Sequence, residues 1–268
     1  MRRTGMRMLG TLQLVLIGLL GMEGVAVLTG PGHAANRVMP ADAERRPVLV
    51  ELFTSEGCSS CPPADALLAR LDATQFVPGA QAIVLSEHVT YWNQDGWHDP
   101  FSLDAMTERQ KEYRDRFGLS DIYTPQAVVD GAVQMVGSDE RKLTSAVEQA
   151  AAGSKAELAI QDAQWAGNAV KFSVKGSSDA KTMLMAALAE DAAETSVKAG
   201  ENKGRSLHHV AVVRTMQEMG KGADDGRALT IKGPSGKDAG TGAMRLVVFL
   251  TDRHNGHVLA VAERTIGR

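Results

Sequence analysis

Cysteine is scarce: the 268 residues hold two, and aromatic residues make up only 4% of the chain. Two thiols cannot fill a four-thiolate zinc site, and no cysteine follows the apolar N-terminal run as a lipoprotein anchor requires. Excess positive charge is missing too. A formal net charge of -3 gives no bulk attraction for a nucleic-acid or anionic-membrane partner. There is no internal repeat. The hydrophobic set at 44% and charged residues at 23% are a globular composition, not a disordered one.

The N-terminus reads as a targeting segment. Arg2, Arg3 and Arg7 make a basic start, and Met8 to Gly21 is an uncharged, largely apolar run. It is too short and too early for an ordinary spanning helix. Gly32-His33-Ala34 puts small residues at the two positions a signal peptidase reads. Residues 1–34 are therefore expected to be a secretory signal cleaved after Ala34, the alternative being an uncleaved anchor. Arg2-Arg3 lacks the rest of a twin-arginine pattern. Cleavage removes three Arg and one Glu and takes the net charge from -3 to -5. Residues 35–46, small and charged, read as a flexible leader. The expected location is periplasmic or secreted, with no stable membrane span once the signal is gone. In such an oxidising compartment both cysteines face disulfide chemistry.

The first half of the remaining chain alternates strands and helices. Pro47 to Phe53 is a short run of strand formers, and Cys58 to Pro63 is a turn. Leu67, Leu68 and Leu71 have helical spacing, and Ala82 to Leu85 is a second buried strand. A loop from His88 to Phe101 holds two of the three Trp. Leu103 to Phe117 is an amphipathic helix, Ala127–Gly131 and Val133–Val136 are strands about a tight Asp130-Gly131 turn, and Asp139–Ala151 is a last helix. This order predicts an α/β thioredoxin-like domain over residues 47–153.

After Gly153 short strand-like runs follow one another: 158–160, 170–174, 183–188, 209–213, 229–231, 246–250 and 258–262. Residues 183–191 fit a helix as well. Strands in series without helices predict a mainly-β, sandwich-like domain over residues 154–268. The glycine-rich stretch 233–242 is expected to be a hairpin loop.

Cys58-Ser59-Ser60-Cys61 is a C-x-x-C between a buried strand and a helix. Thiol exchange needs an accessible thiolate and a second thiol close enough to resolve the mixed disulfide, and two intervening residues allow both. A helix start also favours a thiolate. Pro62 and Pro63 place that start just after the pair, nearer Cys61 than Cys58. Two other readings stand beside this one. A plain structural disulfide closing so short a loop supplies only about 2 kcal/mol. A metal site, of which Cu(I) is the thiolate-selective case, needs His88 or His98 beside Cys58 and Cys61. No cofactor is implied.

Other residues complete the candidate site. In a thioredoxin-like sheet a cis Pro125 after Thr124 packs on the disulfide and guides an extended substrate; the alternative is an ordinary trans proline. Glu51, charged within an apolar strand, is a candidate proton acceptor for the resolving thiol, or else an outward-facing residue. Tyr91, Trp92, Trp97 and Phe101 are candidates for a wall beside the disulfide, or for a cluster that ties the loop down. Glu201, Asn202, Arg205 and His209 gather about a Gly200–Gly204 turn. They either pin that turn or bring a second surface to the redox pair.

The run Glu51-Leu-Phe-Thr-Ser-Glu-Gly-Cys-Ser-Ser-Cys-Pro-Pro-Ala-Asp65 resembles the signature of a family of secreted bacterial proteins designated domain of unknown function 1223. The similarity continues through His88-Val-Thr-Tyr-Trp92, Gly96-Trp-His-Asp-Pro-Phe101, Thr107-Glu-Arg-Gln110, Tyr123-Thr-Pro-Gln126 and Val129-Asp-Gly131. A second block is Gly200-Glu-Asn-Lys-Gly-Arg205 with His208 or His209 and Val212-Val-Arg214. The resemblance spans about residues 47–265 and implies a thioredoxin-like domain joined to a β-rich one, without a settled activity. Together these readings predict an exported thiol-disulfide oxidoreductase acting on a thiol or disulfide substrate, taken to be a protein, with metal handling as the alternative.

Overall fold

The structure, a computed structural model, describes residues 45–177, 181–223, 226–234 and 242–267. The expected signal, most of the expected leader, and residues 235–241 of the glycine-rich stretch lie outside the described residues. Arg45 and Arg46, the last of the leader, are within them: Arg45 donates to the carbonyls of Gln75 and Ala80, and Arg46 opens a strand.

The described chain runs β1 (Arg46–Thr54), α1 (Pro62–Thr74), β2 (Ala80–His88), a 3-10 turn at Tyr91–Gln94, and α2 (Asp104–Phe117). Next come β3 (Gln126–Val129), β4 (Val133–Val136), α3 (Glu140–Ala152), β5 (Leu158–Trp165) and β6 (Ala169–Gly176). The last elements are β7 (Thr182–Ser196), β8 (Ser206–Lys221), β9 (Ala228–Lys232), β10 (Met244–Asp252) and β11 (Val258–Ile266).

Eight of these strands form one mixed sheet in the order β11-β10-β7-β8-β2-β1-β3-β4, and β5-β6-β9 form a second. This overturns the expected fold class. There is no α/β thioredoxin-like domain followed by a separate β-sandwich; the described chain is mostly strand, with three α-helices. The second half supplies four strands to the sheet begun by the first. The seam is a parallel bridge between β2 and β8 at Ser86 and Val212. β2 is buried along nearly its whole length and has a strand on each edge, β1 and β8; its apolar run does not specify which strands those are. Residues 183–191, ambiguous in sequence, belong to β7, which pairs with β8 as a long antiparallel hairpin.

Strand alternation divides the core. In β10, Leu246, Val248 and Leu250 meet Val170, Phe172 and Val174 of the small sheet. Val247 and Phe249 point the other way, into the cluster that holds the apolar faces of α1 and α3. The helix ends follow local chemistry. Pro62 and Pro63 lie at the start of α1, with Cys61 as its N-cap. The Asp139 side chain accepts from the Lys142 N–H at the start of α3. At the β3–β4 turn, Gly131 has φ +62°, and a Cβ there would lie 2.4 Å from the Gly256 carbonyl oxygen. Backbone therefore meets backbone where the two halves touch.

Candidate functional site

Cys58 and Cys61 are joined by a disulfide, with their Cα atoms 5.5 Å apart. The loop is tightly turned: the Cys58 N–H donates to the Ser55 carbonyl and the Cys61 N–H to the Cys58 carbonyl. Ser59 and Ser60 are exposed, yet both cysteines are wholly buried. The Ser60 hydroxyl lies 3.2 Å from Cys58 Sγ.

Part of the covering comes from the β7–β8 connection. Glu201 accepts a hydrogen bond from the Ser59 N–H at 2.9 Å, and Ser59, through its side chain and then this N–H, holds the carboxyl below the ordinary range. The buried Asn202 amide donates to the carbonyls of both Glu56 and Cys58, each at 2.9 Å. Arg205 in turn donates to Asn202 Oδ1. The turn is thus stitched to the loop by side chains that cap backbone groups.

The aromatic loop packs against Gly57, just before the pair, and against Gly200 of the covering turn. Trp92 donates from its indole to the Thr124 hydroxyl at 2.8 Å, beside the cis Thr124–Pro125 bond. Trp97 donates to Glu56 Oε2 at 2.8 Å and packs on Gly200. Tyr91 lies against Trp92. A Cβ on Gly57 would sit 3.0 Å from Trp92 Cβ and 3.2 Å from its carbonyl oxygen. Gly57→Ala is therefore expected to push Trp92 out and cost about 1–3 kcal/mol in chemical denaturation. An unchanged midpoint with unchanged Trp fluorescence would show that the loop gives way freely.

A buried cluster of ionisable groups is contributed by five segments, among them the chain just before Cys58 and the first turn of α1 after Cys61. Glu56, His88 and Asp99 are fully buried, His209 is 2% exposed and Asp65 5%. His88 Nδ1 lies 2.7 Å from Asp99 Oδ2, which also accepts from the Glu56 N–H. His209 Nε2 is 3.4 Å from Glu56 Oε1, and its Nδ1 is 3.9 Å from Asp65 Oδ2. Asp65 Oδ1 accepts from the Thr54 hydroxyl. The two imidazoles meet edge to face at 4.6 Å, and Phe101 packs on both. Burial pushes the Asp65 carboxyl up to about 6 against the pull of His209. Burial also acts to raise Asp99, but the charge and hydrogen bond of His88 outweigh it and bring Asp99 down to about 2.

Glu51 has other company. Arg109 Nε donates to its Oε1 at 2.6 Å and the Tyr113 hydroxyl to its Oε2, both from α2. Burial alone would raise this carboxyl. Arg109, with hydrogen bonds from Glu87 and Tyr113, outweighs burial and keeps it below the ordinary range. A carboxylate with both oxygens engaged and its proton held off does not suit the proton-accepting role expected of it, and Asp65 and His209 stand nearer that description. The metal alternative fares no better in geometry. Among the described residues no three His, Cys, Asp or Glu side chains form a group able to hold a metal ion. His88 is turned to Asp99, and His98 lies exposed with its Nδ1 near the Asp99 carbonyl.

Sequence reasoning passed over Glu56, Asp65 and Asp99 as separate residues. One signal was present: Asp65 stands four positions after Cys61, on the same face of α1.

Comparison with solved structures finds a crystal structure of a protein from Agrobacterium tumefaciens with 27% sequence identity and a TM-score of 0.59, covering 83% of this chain and 94% of that one. No protein of curated function matches. The model of the family described as "Protein of unknown function (DUF1223)" matches residues 49–251, a span that holds every residue of the site, and the chain belongs to that family.

Proposed function

We propose that the protein is an exported thiol-disulfide oxidoreductase whose redox pair is Cys58 and Cys61. The observation that carries this reading is the position of the disulfide: it is buried at the start of α1, with Glu56 two residues before Cys58 and Asp65 one helical turn beyond Cys61, both belonging to a buried group of acids and imidazoles. A bond needed only for stability has no use for five buried ionisable side chains, each of which costs free energy to desolvate.

In the reduced protein the Cys58 thiolate attacks one sulfur of a substrate disulfide. A Cys58–substrate disulfide forms, and the first substrate sulfur leaves as a thiolate. Cys61 loses its proton to the Asp65–His209 pair and attacks Cys58 Sγ. The Cys58–Cys61 bond forms and the second substrate thiolate leaves. Two electrons pass from protein to substrate, and an external dithiol returns them. The reverse sequence oxidises a substrate dithiol. Because both cysteines are buried, exchange requires the 199–205 turn to lift.

Stopped-flow mixing of the reduced protein with hydroxyethyl disulfide tests this. Cys58→Ala is expected to abolish exchange, and Cys61→Ala to trap a mixed disulfide on Cys58, visible as added mass. Equal rates in wild type and Cys58→Ala would overturn the assignment.

A further inference from the structure

The β7–β8 connection does more than cover the disulfide. At its base is a surface hollow of about 260 Å³ lined by Lys198, Lys203 and Arg205, together with Ser196 and Ser206. No carboxylate lines it. Three cations fall within eight positions of a chain whose net charge is -3, so the concentration is local. The hairpin end fixes them: the Val197 N–H donates to the Arg205 carbonyl and the Gly204 N–H to the Val197 carbonyl.

The neighbouring carboxylates are committed elsewhere. Glu201 is held by the Ser59 N–H, and Glu194 by the Ser206 hydroxyl, with His208 beside it. Among the described residues Lys198 and Lys203 have no carboxylate partner within ion-pair distance, and the Arg205 guanidinium bonds only to Asn202. Three unneutralised cations around one concavity form an attractive field for an anion. The hydrogen bonds then lead to the redox pair, from Arg205 to Asn202 Oδ1 and from the Asn202 amide to the Cys58 carbonyl.

We propose that the hollow of Lys198, Lys203 and Arg205 is an anion subsite that holds a carboxylate of the substrate, so that the substrate class is a thiol or disulfide bearing carboxylate groups. This rests on the exchange reading above and narrows it. The carboxylate binds while its sulfur end reaches the Cys58–Cys61 loop. By drawing on Arg205 it competes with the Asn202 bond that keeps the turn closed. Occupation of the hollow thereby favours exposure of the sulfur it serves.

The test compares the full mature protein with a Lys198→Gln, Lys203→Gln double variant, which leaves the Arg205–Asn202 bond in place. Two probes are used at low ionic strength, the dianion 3,3'-dithiodipropionate and the neutral hydroxyethyl disulfide. The rate ratio of dianion to neutral probe is expected to fall on the order of tenfold in the variant. The wild-type ratio is expected to fall similarly in half-molar salt, where the Debye length is a few ångströms. A ratio that neither the substitutions nor salt changes would overturn the subsite. Should neither probe oxidise the reduced protein, the exchange reading fails, and equilibrium binding decides the subsite alone. Dithiodipropionate is then titrated into the oxidised protein with the amide shifts of Gly204 and Ser206 as readout. Shifts that saturate in wild type and vanish in the variant support the hollow as an anion site; absence of shifts in wild type removes it.

Discussion

Replacing Arg109 with methionine is expected to destabilise the fold by about 3–5 kcal/mol, because it strips the counter-ion from a buried carboxylate. Arg109 Nε lies 2.6 Å from Glu51 and 3.7 Å from Glu87, both fully buried carboxyls on adjacent parallel strands. Burial, and then the charge of Glu51, push Glu87 well above the ordinary range, so it stays protonated. The remaining charges, Glu51 negative and Arg109 positive, balance each other. The guanidinium also lies over the Phe249 ring at 5.5 Å, which couples α2 to β10 across the seam. Without Arg109, only the Tyr113 hydroxyl and Glu87 face the Glu51 charge. Urea unfolding of Arg109→Met measures the loss, and adding Glu51→Gln is expected to restore more than half of it. A loss below about 1 kcal/mol would mean that water reaches the pair and solvates it.

The second large effect is a pH dependence centred on Asp65. Its carboxyl rises from an ordinary 3.8 to about 6 in the fold, so the native state holds this proton more tightly than the unfolded chain does. Stability from this group is intact below about pH 4 and is lost as pH rises through about 6. At about 1.4 kcal/mol per pH unit the loss approaches about 3 kcal/mol. Asp99 acts in the opposite sense. Its carboxyl is depressed to about 2, and its contribution, present above 3.8, disappears as pH falls toward 2. Asp65→Asn separates the two. The stability of wild type minus that of the variant, followed by urea unfolding, is expected to decline by about 2 kcal/mol between pH 4 and 6, and by about 3 kcal/mol over the whole span from about pH 3 to about pH 7. A flat difference would show that Asp65 is ionised without penalty, its charge met by His209 and the Thr54 hydroxyl against the repulsion of Asp99 and Glu56.

Much of the first half was legible because its signals are local. Pro62-Pro63 marks the start of α1, Asp130-Gly131 marks a turn with both residues at positive φ, and the C-x-x-C spacing marks the pair. The fold class was not, because it depends on which strand completes the open edge of β2. Val212 and Ser86 are 126 positions apart, and neither residue type encodes that choice. The site divides in the same way. Glu201 and Asn202 drew notice as a cluster around glycines, and the structure brings them to Ser59 and Cys58. Glu51 drew notice as a charge in an apolar strand, but its partner is Arg109, 58 residues on, in a helix that reads as an ordinary charged face. A single strand shows that a buried carboxylate needs a cation without saying which.

The narrow seam has a consequence in time. A ribosome makes the chain from the N-terminus, so β1, α1, β2 and the cysteine loop are finished well before β7, the 199–205 turn and β8. Throughout that interval β2 presents an unpaired edge, and the sulfur atoms have no roof. The β2 edge and the cysteine loop are therefore open during one window of chain growth. Arrival of a single hairpin closes that window for both.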